Sequence, residues 1–280
     1  MLRADLYTRR DFTFGKMIIK PTSIDGIVSW RERYREEMAC QIIHDSLHRR
    51  GNWAQTFILK LNEEPVGYGS LLCDGPWSGT RTVFEFYVVR GRRSQVFSHF
   101  DAFLSKTEAT HISSQSNDRL LTPLLLYYSN DIKSEKILFE DCVSECHVIK
   151  GASFRKKKEL EASSIFEHTR EPVGDWLLEI DGEVVGTGGV MKHYNPPYGD
   201  IYMEIVETHR RKGYGTILVQ ALKKVCYESG LVPCCRCDPQ NEASIKTIQK
   251  AGFQPCAHLL TGTINNPNQS SHETPASAPP

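Results

Sequence analysis

The sequence predicts an α+β, three-layer fold: two successive units, each a mixed sheet with helices on both faces. Three observations carry that reading. β-Branched and aromatic runs of strand length alternate with amphipathic runs of helical period. The order of these runs repeats along the chain. A glycine-interrupted bend joins a strand to a helix in the second half, where such a fold would place a binding site.

Met17 to Lys20 is a short apolar run before a proline and reads as a strand. Asp25 to Arg50 reads as one helix, with Ile27, Trp30, Tyr34, Met38 and Ile42 at helical spacing and Gly51 as its stop. Thr56 to Leu61 and Pro65 to Cys73 read as strands joined by the turn Asn62-Glu63-Glu64. Thr82 to Val89 is a further strand, and Ser94 to Thr110 a helix carrying Val96, Phe97, Phe100, Phe103 and Leu104. The second half repeats this order. Asp175 to Ile180 and Glu183 to Met191 are strands around the turn Asp181-Gly182. Ile201 to Glu207 is a strand. Tyr214 to Ser229 is a helix with Ile217, Leu218, Ala221, Leu222 and Val225 on one face, stopped by Gly230. Leu231 to Cys237 is a short strand, and Asn241 to Ala251 a last helix ended by Gly252.

Val66-Gly67-Tyr68-Gly69-Ser70 resembles Val185-Gly186-Thr187-Gly188-Gly189 at an offset of 119 (185 − 66). The same offset carries Trp176 onto Phe57 and Glu204 onto Glu85, and Ser134 and Lys136 echo Ser244 and Lys246 at a slightly smaller one. The reading is an internal duplication, with coincidence between two β-rich stretches as the alternative. Residues 1–150 then form the first unit, 151–172 a linker or the start of the second, and 173–264 the second unit. Residues 265–280, rich in Pro, Ser and Asn, read as a disordered tail.

Lys+Arg and Asp+Glu number 34 each, so the formal net charge is zero. That excludes a broad electrostatic footprint for nucleic acid. No apolar run approaches the ~18 residues of a membrane span, and the first residues lack the apolar core of a secretory signal. Nine cysteines without an export signal read as free thiols in a reducing cytoplasm. The expectation is a cytoplasmic protein, monomer or homodimer.

The chemistry concentrates in Glu207-Thr208-His209-Arg210-Arg211-Lys212-Gly213-Tyr214-Gly215-Thr216. Arg210, Gly213 and Gly215 make an R-x-x-G-x-G pattern between a strand and a helix. The first N–H groups of a helix lack intrahelical partners and sit at the positive end of its dipole. Glycines there let a phosphate approach the main chain, and Arg210, Arg211 and Lys212 add charge suited to a diphosphate. No Lys-Ser/Thr follows the second glycine, so this is not a Walker loop, and the spacing is not a dinucleotide fingerprint.

With the strand IYMEIVE, the loop RRKGYG, the helix TILVQALKKVCYE and the segment PQNEASIKTIQKAGF, residues 173–264 resemble the GNAT superfamily of acetyl-CoA-dependent N-acetyltransferases. The resemblance implies a tandem acyltransferase fold in which Arg210 to Thr216 offer backbone N–H groups to the diphosphate of acetyl-CoA. Ile205 and Val206 would pair with its pantetheine arm like an added strand. Asn241, with Ser244 on the same helical turn, matches the start of the helix that contacts pantetheine. Many members carry a Tyr seven residues after that Asn as the acid for the leaving thiolate; here Ile248 stands there. Tyr194, Tyr198 and Tyr202 are the alternative acids, beside proton uptake from water.

The acceptor would be a small-molecule or peptide amine, attacking the thioester directly. A free alkyl amine has a pKa of about 10.4, so a base must take its proton. Glu204 and Asp200 are the candidates, and N–H groups near Ile205 could polarise the thioester carbonyl. Glu204 reads equally as an acid on the solvent face of a half-buried strand, and Asp200 more readily as a turn residue after Gly199. The 119 offset puts Ser94 and Val96 where Gly213 and Gly215 stand, so the first unit reads as a degenerate copy that shapes the acceptor pocket. Cys234-Cys235-Arg236-Cys237 lacks a second pair at metal-site spacing, and no metal is expected. Cys142, Cys146 and His147 read as packing. Phe154 to Lys158 reads as a solvated basic linker, and Asn195-Pro196-Pro197-Tyr198 as a plain connection or a wall of the acceptor site. A CoA-binding module without turnover, or a non-catalytic interaction protein, are the competing readings.

Overall fold

The computed structural model describes residues 16–42, 45–142, 147–158, 161, 174–192 and 195–265. The first half runs β1 (Met17–Thr22), α1 (Val28–Met38), α2 (Asp45–His48), β2 (Ala54–Leu61), β3 (Glu64–Leu72), β4 (Thr82–Val88), α3 (Val96–Thr107), β5 (His111–Gln115), α4 (Leu121–Tyr128) and β6 (Ser129–Asp141). The second runs β7 (Ala152–Lys156), β8 (Trp176–Ile180), β9 (Glu183–Met191), β10 (Tyr198–Ile205), α5 (Tyr214–Glu228), β11 (Val232–Cys237), α6 (Glu242–Lys250) and β12 (Phe253–Ile264). The twelve strands among the described residues join one mixed sheet in the order β1-β2-β3-β4-β5-β12-β6-β11-β10-β9-β8-β7.

That order contains an exchange. Each half lays down five strands in sequence, and the sixth crosses over. β6, from the first half, pairs antiparallel with β11 of the second. β12, from the second, pairs antiparallel with β5 of the first. β6 and β12 then pair with each other from Phe253↔Asp141 to Ile264↔Ser129. The residues on either side of the sheet's centre are therefore far apart in sequence.

Two main cores follow. In the first half, Phe86, Phe100 and Phe103 are fully buried between β4 and α3, with Phe86 and Phe100 rings 4.8 Å apart at 82°, an edge-to-face contact. In the second, Leu218, Val219 and Leu222 of α5 pack with Ile201 and Ile205 of β10 and Ile248 of α6. Gly186 and Gly188 let α5 approach the sheet: a Cβ on Gly186 would lie 3.1 Å from Leu218 Cδ2 and one on Gly188 2.6 Å from Leu222 Cδ1.

Several expectations are corrected. Asp25 to Arg50 is not one helix. α1 ends at Met38, with Ala39 in the left-handed region at φ 50° and its N–H bonded to Arg35 O, because residues 39–42 leave the helix to bind the second half. Ser134 and Lys136 lie on β6 while Ser244 and Lys246 lie on α6, so that echo is false. The counterpart of α6 is α4, whose Pro123 falls in the first turn, where its missing N–H costs nothing. Phe154 to Lys158 is no solvated linker over its first part: β7 pairs with β8, Phe154 stacks on Trp176 at 4.7 Å, and Arg155 pairs with Glu161 and Glu179. Residues 266–280 of the expected tail, Tyr194 and Cys146 lie outside the described residues.

The exchange makes a prediction. A chain ending at Gly252 lacks β12, and is expected to lose the cooperative thermal unfolding of both halves. Near-ultraviolet circular dichroism would report this; a first-half transition matching the full chain would contradict the exchange.

Candidate active site

The site begins where two parallel strands stop pairing. β10 and β11 are joined only at Tyr198↔Val232, Gly199↔Pro233 and Asp200↔Cys234. Beyond Asp200, β10 pairs with β9 alone, up to Ile205↔Gly186, and β11 pairs with β6 alone through Cys237↔Ile137. A wedge-shaped gap therefore opens towards the carboxyl ends of β10 and β11.

The pairing pattern says which groups face it. Val206 N–H donates to Val185 O at 3.0 Å. In an antiparallel ladder the direction alternates, so Met203 and Ile205 turn their main-chain N–H and C=O groups away from β9 and into the gap. Arg210 Nε donates to the Ile205 carbonyl at 3.0 Å, pinning the loop to the strand end. Val206, expected to offer its N–H to a ligand, has given it to β9.

The side chains divide by parity. Met203 and Ile205 pack on the α5 side. Asp200, Tyr202 and Glu204 project from the opposite face. The Tyr202 ring lies over Gly189, whose added Cβ would sit 2.7 Å from the phenolic oxygen. Glu204 is half-buried and pairs across the sheet with Thr187. Asp200 is buried, with Arg236 Nε 3.2 Å from its Oδ2, an ion pair across the apex of the gap. Tyr198 donates its hydroxyl to Ala39 O at 3.3 Å, and burial raises its pKa.

The loop after β10 leads into a helix start with no side-chain cap. Gly213, the N-cap of α5, has φ 84°, a conformation costly to a residue with a Cβ. Arg211 and Lys212 are exposed, and Arg211 also holds a positive φ, 64°. Gly213 carbonyl accepts from Thr216 N–H at 3.1 Å, closing the first turn beneath the N–H groups of Tyr214 and Gly215. A Cβ on Gly215 would meet Thr247 Cγ2 at 3.0 Å and Met203 Cε at 3.3 Å. That glycine therefore serves the packing of α5 on α6 and β10 as well.

Asn241 caps α6, its Oδ1 accepting from Ser244 N–H at 3.0 Å. Burial raises the pKa of the Cys237 thiol at the end of β11, and the Ser244 side chain works against that shift. Ile248 is a core residue under α6, so nothing polar stands at that position. Cys234, Cys235 and Cys237 are free and buried. Among the described residues no group of three His, Cys, Asp or Glu side chains could hold a metal.

The first half shows what a closed version looks like. Val89 N–H donates to Val66 O, and Arg93 Nε to Val88 O at 2.9 Å, the same bonds made by Val206 and Arg210. These pairs are 117 residues apart (206 − 89), not 119. One residue is lost because Leu72↔Thr82 closes a longer connection than Met191↔Asp200. The other is Phe84, an extra residue in a β-bulge between Ser70↔Glu85 and Leu71↔Val83. Glu85 therefore corresponds to Tyr202, and Glu204 to Tyr87; the gap-free match of Glu85 with Glu204 is corrected. The cap of α3 is Gln95, so Phe97, not Val96, stands where Gly215 does. Asn241 is replaced by Asp118, which caps α4 through Leu120 and Leu121 N–H and accepts the Tyr34 hydroxyl. A cavity of about 60 Å³ remains beside Tyr34, Phe84 and Glu85, room for about two waters.

Residues 140–253 match the Acetyltransferase (GNAT) family model. The match takes in β7 to α6, the elements that build the site. No curated protein matches the chain. Among solved structures, the chain is similar to a GNAT-family acetyltransferase from Colwellia psychrerythraea, with 16% identity, a TM-score of 0.71, and coverage of 89% of this chain and 100% of that one. A tandem GNAT protein of the clavulanic acid biosynthesis pathway follows at 14% identity and TM-score 0.56, over 90% and 99% of the two chains. A GCN5-related N-acetyltransferase from Sphaerobacter thermophilus gives 12% and 0.56, over 89% and 96%. At these identities the likeness is one of fold, and it extends over both halves.

Glu85 supplies a test of the closed half. It is buried, accepts both Arg31 Nε and Nη2 at 3.0 and 2.9 Å, and is met by His48 Nε2 at 3.1 Å and the Tyr68 hydroxyl at 3.0 Å. Burial alone would raise its pKa, but the His48 and Arg31 charges and hydrogen bonds win and hold it far below the usual carboxylate range. A carboxylate whose folded pKa is depressed adds stability above its unfolded value, about 4.3, and loses it as pH falls below that. Glu85→Gln is expected to destabilise the chain by about 3–5 kcal/mol at neutral pH and to weaken the dependence of stability on pH below 4.3. Urea unfolding across pH would measure both.

Proposed function

We propose that the second half transfers an acetyl group from acetyl-CoA to a primary amine by direct attack within a ternary complex. The observation that carries this is the meeting of the β10–β11 gap with the uncapped, glycine-opened start of α5. An extended arm has main-chain partners in Met203 and Ile205, and a diphosphate has N–H groups and two exposed cations at the end of that track. The residues fit the co-substrate: Arg211, Lys212, Gly213, Tyr214 and Gly215 would hold the diphosphate, and the Asn241 amide lies at the cap facing the same route. Arg210 and Thr216 serve by shaping the loop. Bound acetyl-CoA supplies an activated acyl group on a thiol leaving group.

The chain's own residues then do four things. The Met203 and Ile205 N–H groups polarise a carbonyl placed in the gap. Glu204 takes the amine proton, directly or through water. Tyr202, beside it on the same face, is the hydroxyl nearest in sequence to that base and stands ready to return a proton. Asp200, buried and paired with Arg236, holds the apex of the gap.

Ile248 favours a second reading, CoA binding without turnover, because the place where relatives often carry an acid is here part of the core. Thiol release over a panel of amines separates the two.

Two measurements test the proposal. Arg211→Gly combined with Lys212→Ala removes two cations and leaves the packing of Gly215 intact. Calorimetric affinity for acetyl-CoA is expected to fall at least tenfold, about 1.4 kcal/mol, with the melting temperature held or raised because Arg211 sheds its positive-φ strain. Glu204→Gln is expected to lower kcat by about 10²–10⁴ at unchanged acetyl-CoA affinity. Full activity in that variant would remove Glu204 as base.

A further inference from the structure

Aromatic side chains stand in the open where α3 begins and α4 ends. Phe97, in the first turn of α3, is 43% exposed; Tyr127, in the last turn of α4, is 67% exposed, with Leu126 beside it at 62%. The rings form one platform. Phe97 and Tyr127 centroids lie 4.9 Å apart, Tyr127 and Tyr128 4.9 Å, and Phe97 and Tyr128 6.3 Å. Tyr128 is fixed in place: its hydroxyl donates to Asp101 Oδ1 at 2.6 Å, and its ring lies 5.1 Å from that of buried Phe100. Contiguous apolar surface left open on a folded domain marks a place where something docks.

The chain itself arrives at this platform. β12 ends at Ile264, the register partner of Ser129, and Asn265 N–H donates to Tyr128 O at 2.8 Å. Ile264 and Tyr128 pack against the same first-half core. Asn265 therefore leaves the sheet at the last turn of α4, bonded to the residue that follows Tyr127. Residues 266–280 lie outside the described residues, and their sequence has two portions. Asn266 to Glu273, NPNQSSHE, is polar apart from Pro267. Thr274 to Pro280, TPASAPP, is rich in Pro and Ala and has no charged side chain. Proline fixes φ near −65°, so such a segment favours the extended polyproline II helix before it meets any partner and loses little entropy on docking. Aromatic-lined grooves take Pro-rich segments in that form.

We propose that the platform of Phe97, Tyr127 and Tyr128 binds the chain's own segment Thr274–Pro280, folded back in cis. The tether allows it. Nine residue steps separate Asn265 from Thr274 (274 − 265), at most about 30 Å when extended and about 15–18 Å as a flexible chain. The near edge of the platform is Tyr128, to which Asn265 is bonded. A tether this short holds the segment at an effective concentration on the order of mM. A contact too weak to form between separate molecules is then populated within one. Docked, the segment fastens the end of the exchanged strand β12 to the half with which it pairs.

The test uses the full chain with isotope-labelled proline. NMR reads the ring protons of Pro275, Pro279 and Pro280 against the free peptide TPASAPP. Contact with aromatic faces is expected to move them upfield, by an amount unchanged on dilution of the protein. Phe97→Ser combined with Tyr127→Ser is expected to return them to the values of the free peptide. Tyr127→Ser alone, at the most exposed ring, is expected to remove at least half of the shift with the melting temperature held. Prolines that resonate in the wild-type chain as in the free peptide would overturn the proposal. So would a shift that survives intact in either variant. A shift that grows with protein concentration would overturn docking in cis and make a second copy of the chain the occupant.

Discussion

The parallel ladder between β10 and β11 is three residue pairs long, and the rest of the active half is arranged around its ending. A parallel strand that loses its neighbour exposes main-chain donors and acceptors, which are costly to leave dry. Two features keep the gap from closing. β11 is held on its other side by β6, and β10 is held by β9 and by the Arg210 bond to Ile205 O. Neither strand can slide towards the other without breaking a longer ladder. The Asp200–Arg236 ion pair sits where the divergence begins. A buried pair of this kind is a weak source of net stability, so its value lies in setting where the strands part.

The exchange of β6 and β12 explains why the first half persists without a cofactor cradle. β11 needs β6 as neighbour, and β5 needs β12. Remove the first half and the active half loses one side of its gap. The first half can therefore lose Gly-to-phosphate geometry, carrying Gln95 and Phe97 instead, and still be required. Its own gap has been filled from within by Tyr34 bonded to Asp118, and by Glu85 tied to Arg31, His48 and Tyr68.

Much of this was legible in the sequence where a single period ran unbroken. α5 and α3 show helical spacing with clear stops, and β8 and β9 are strands about an Asp-Gly turn. The R-x-x-G-x-G bend marked the loop because its glycines have a local reason to be there. What was not legible depends on tertiary contact. Nothing in the run from Ile27 to Ile42 says that Ala39 turns left-handed, since the cause is Asn195, far along the chain. β12 follows a glycine stop and pairs with the other half, so no local pattern announces its partner. The pairing of Glu85 with Glu204 failed for a subtler reason. An offset holding through β2 and β3 slips by two across one shorter connection and one bulge, and two acids happened to fall at the unslipped distance.

That slip has a chemical consequence. In the active half the order along β10 is tyrosine then acid, Tyr202 and Glu204; in the closed half it is acid then tyrosine, Glu85 and Tyr87. The bulge at Phe84 places Glu85 one step nearer the apex, where Arg31 of α1 grips it from both oxygens. Glu204, one step further out, lies at the wide end of its gap and is only half-buried. A carboxylate held by a guanidinium and an imidazole in the dry apex is fixed in its charged form and cannot cycle a proton near neutral pH. Glu204 sits at the open end, on a strand whose N–H groups face the same space. The different settings of the two acids in these two halves are thus two residues of register, written into one hairpin and one bulge.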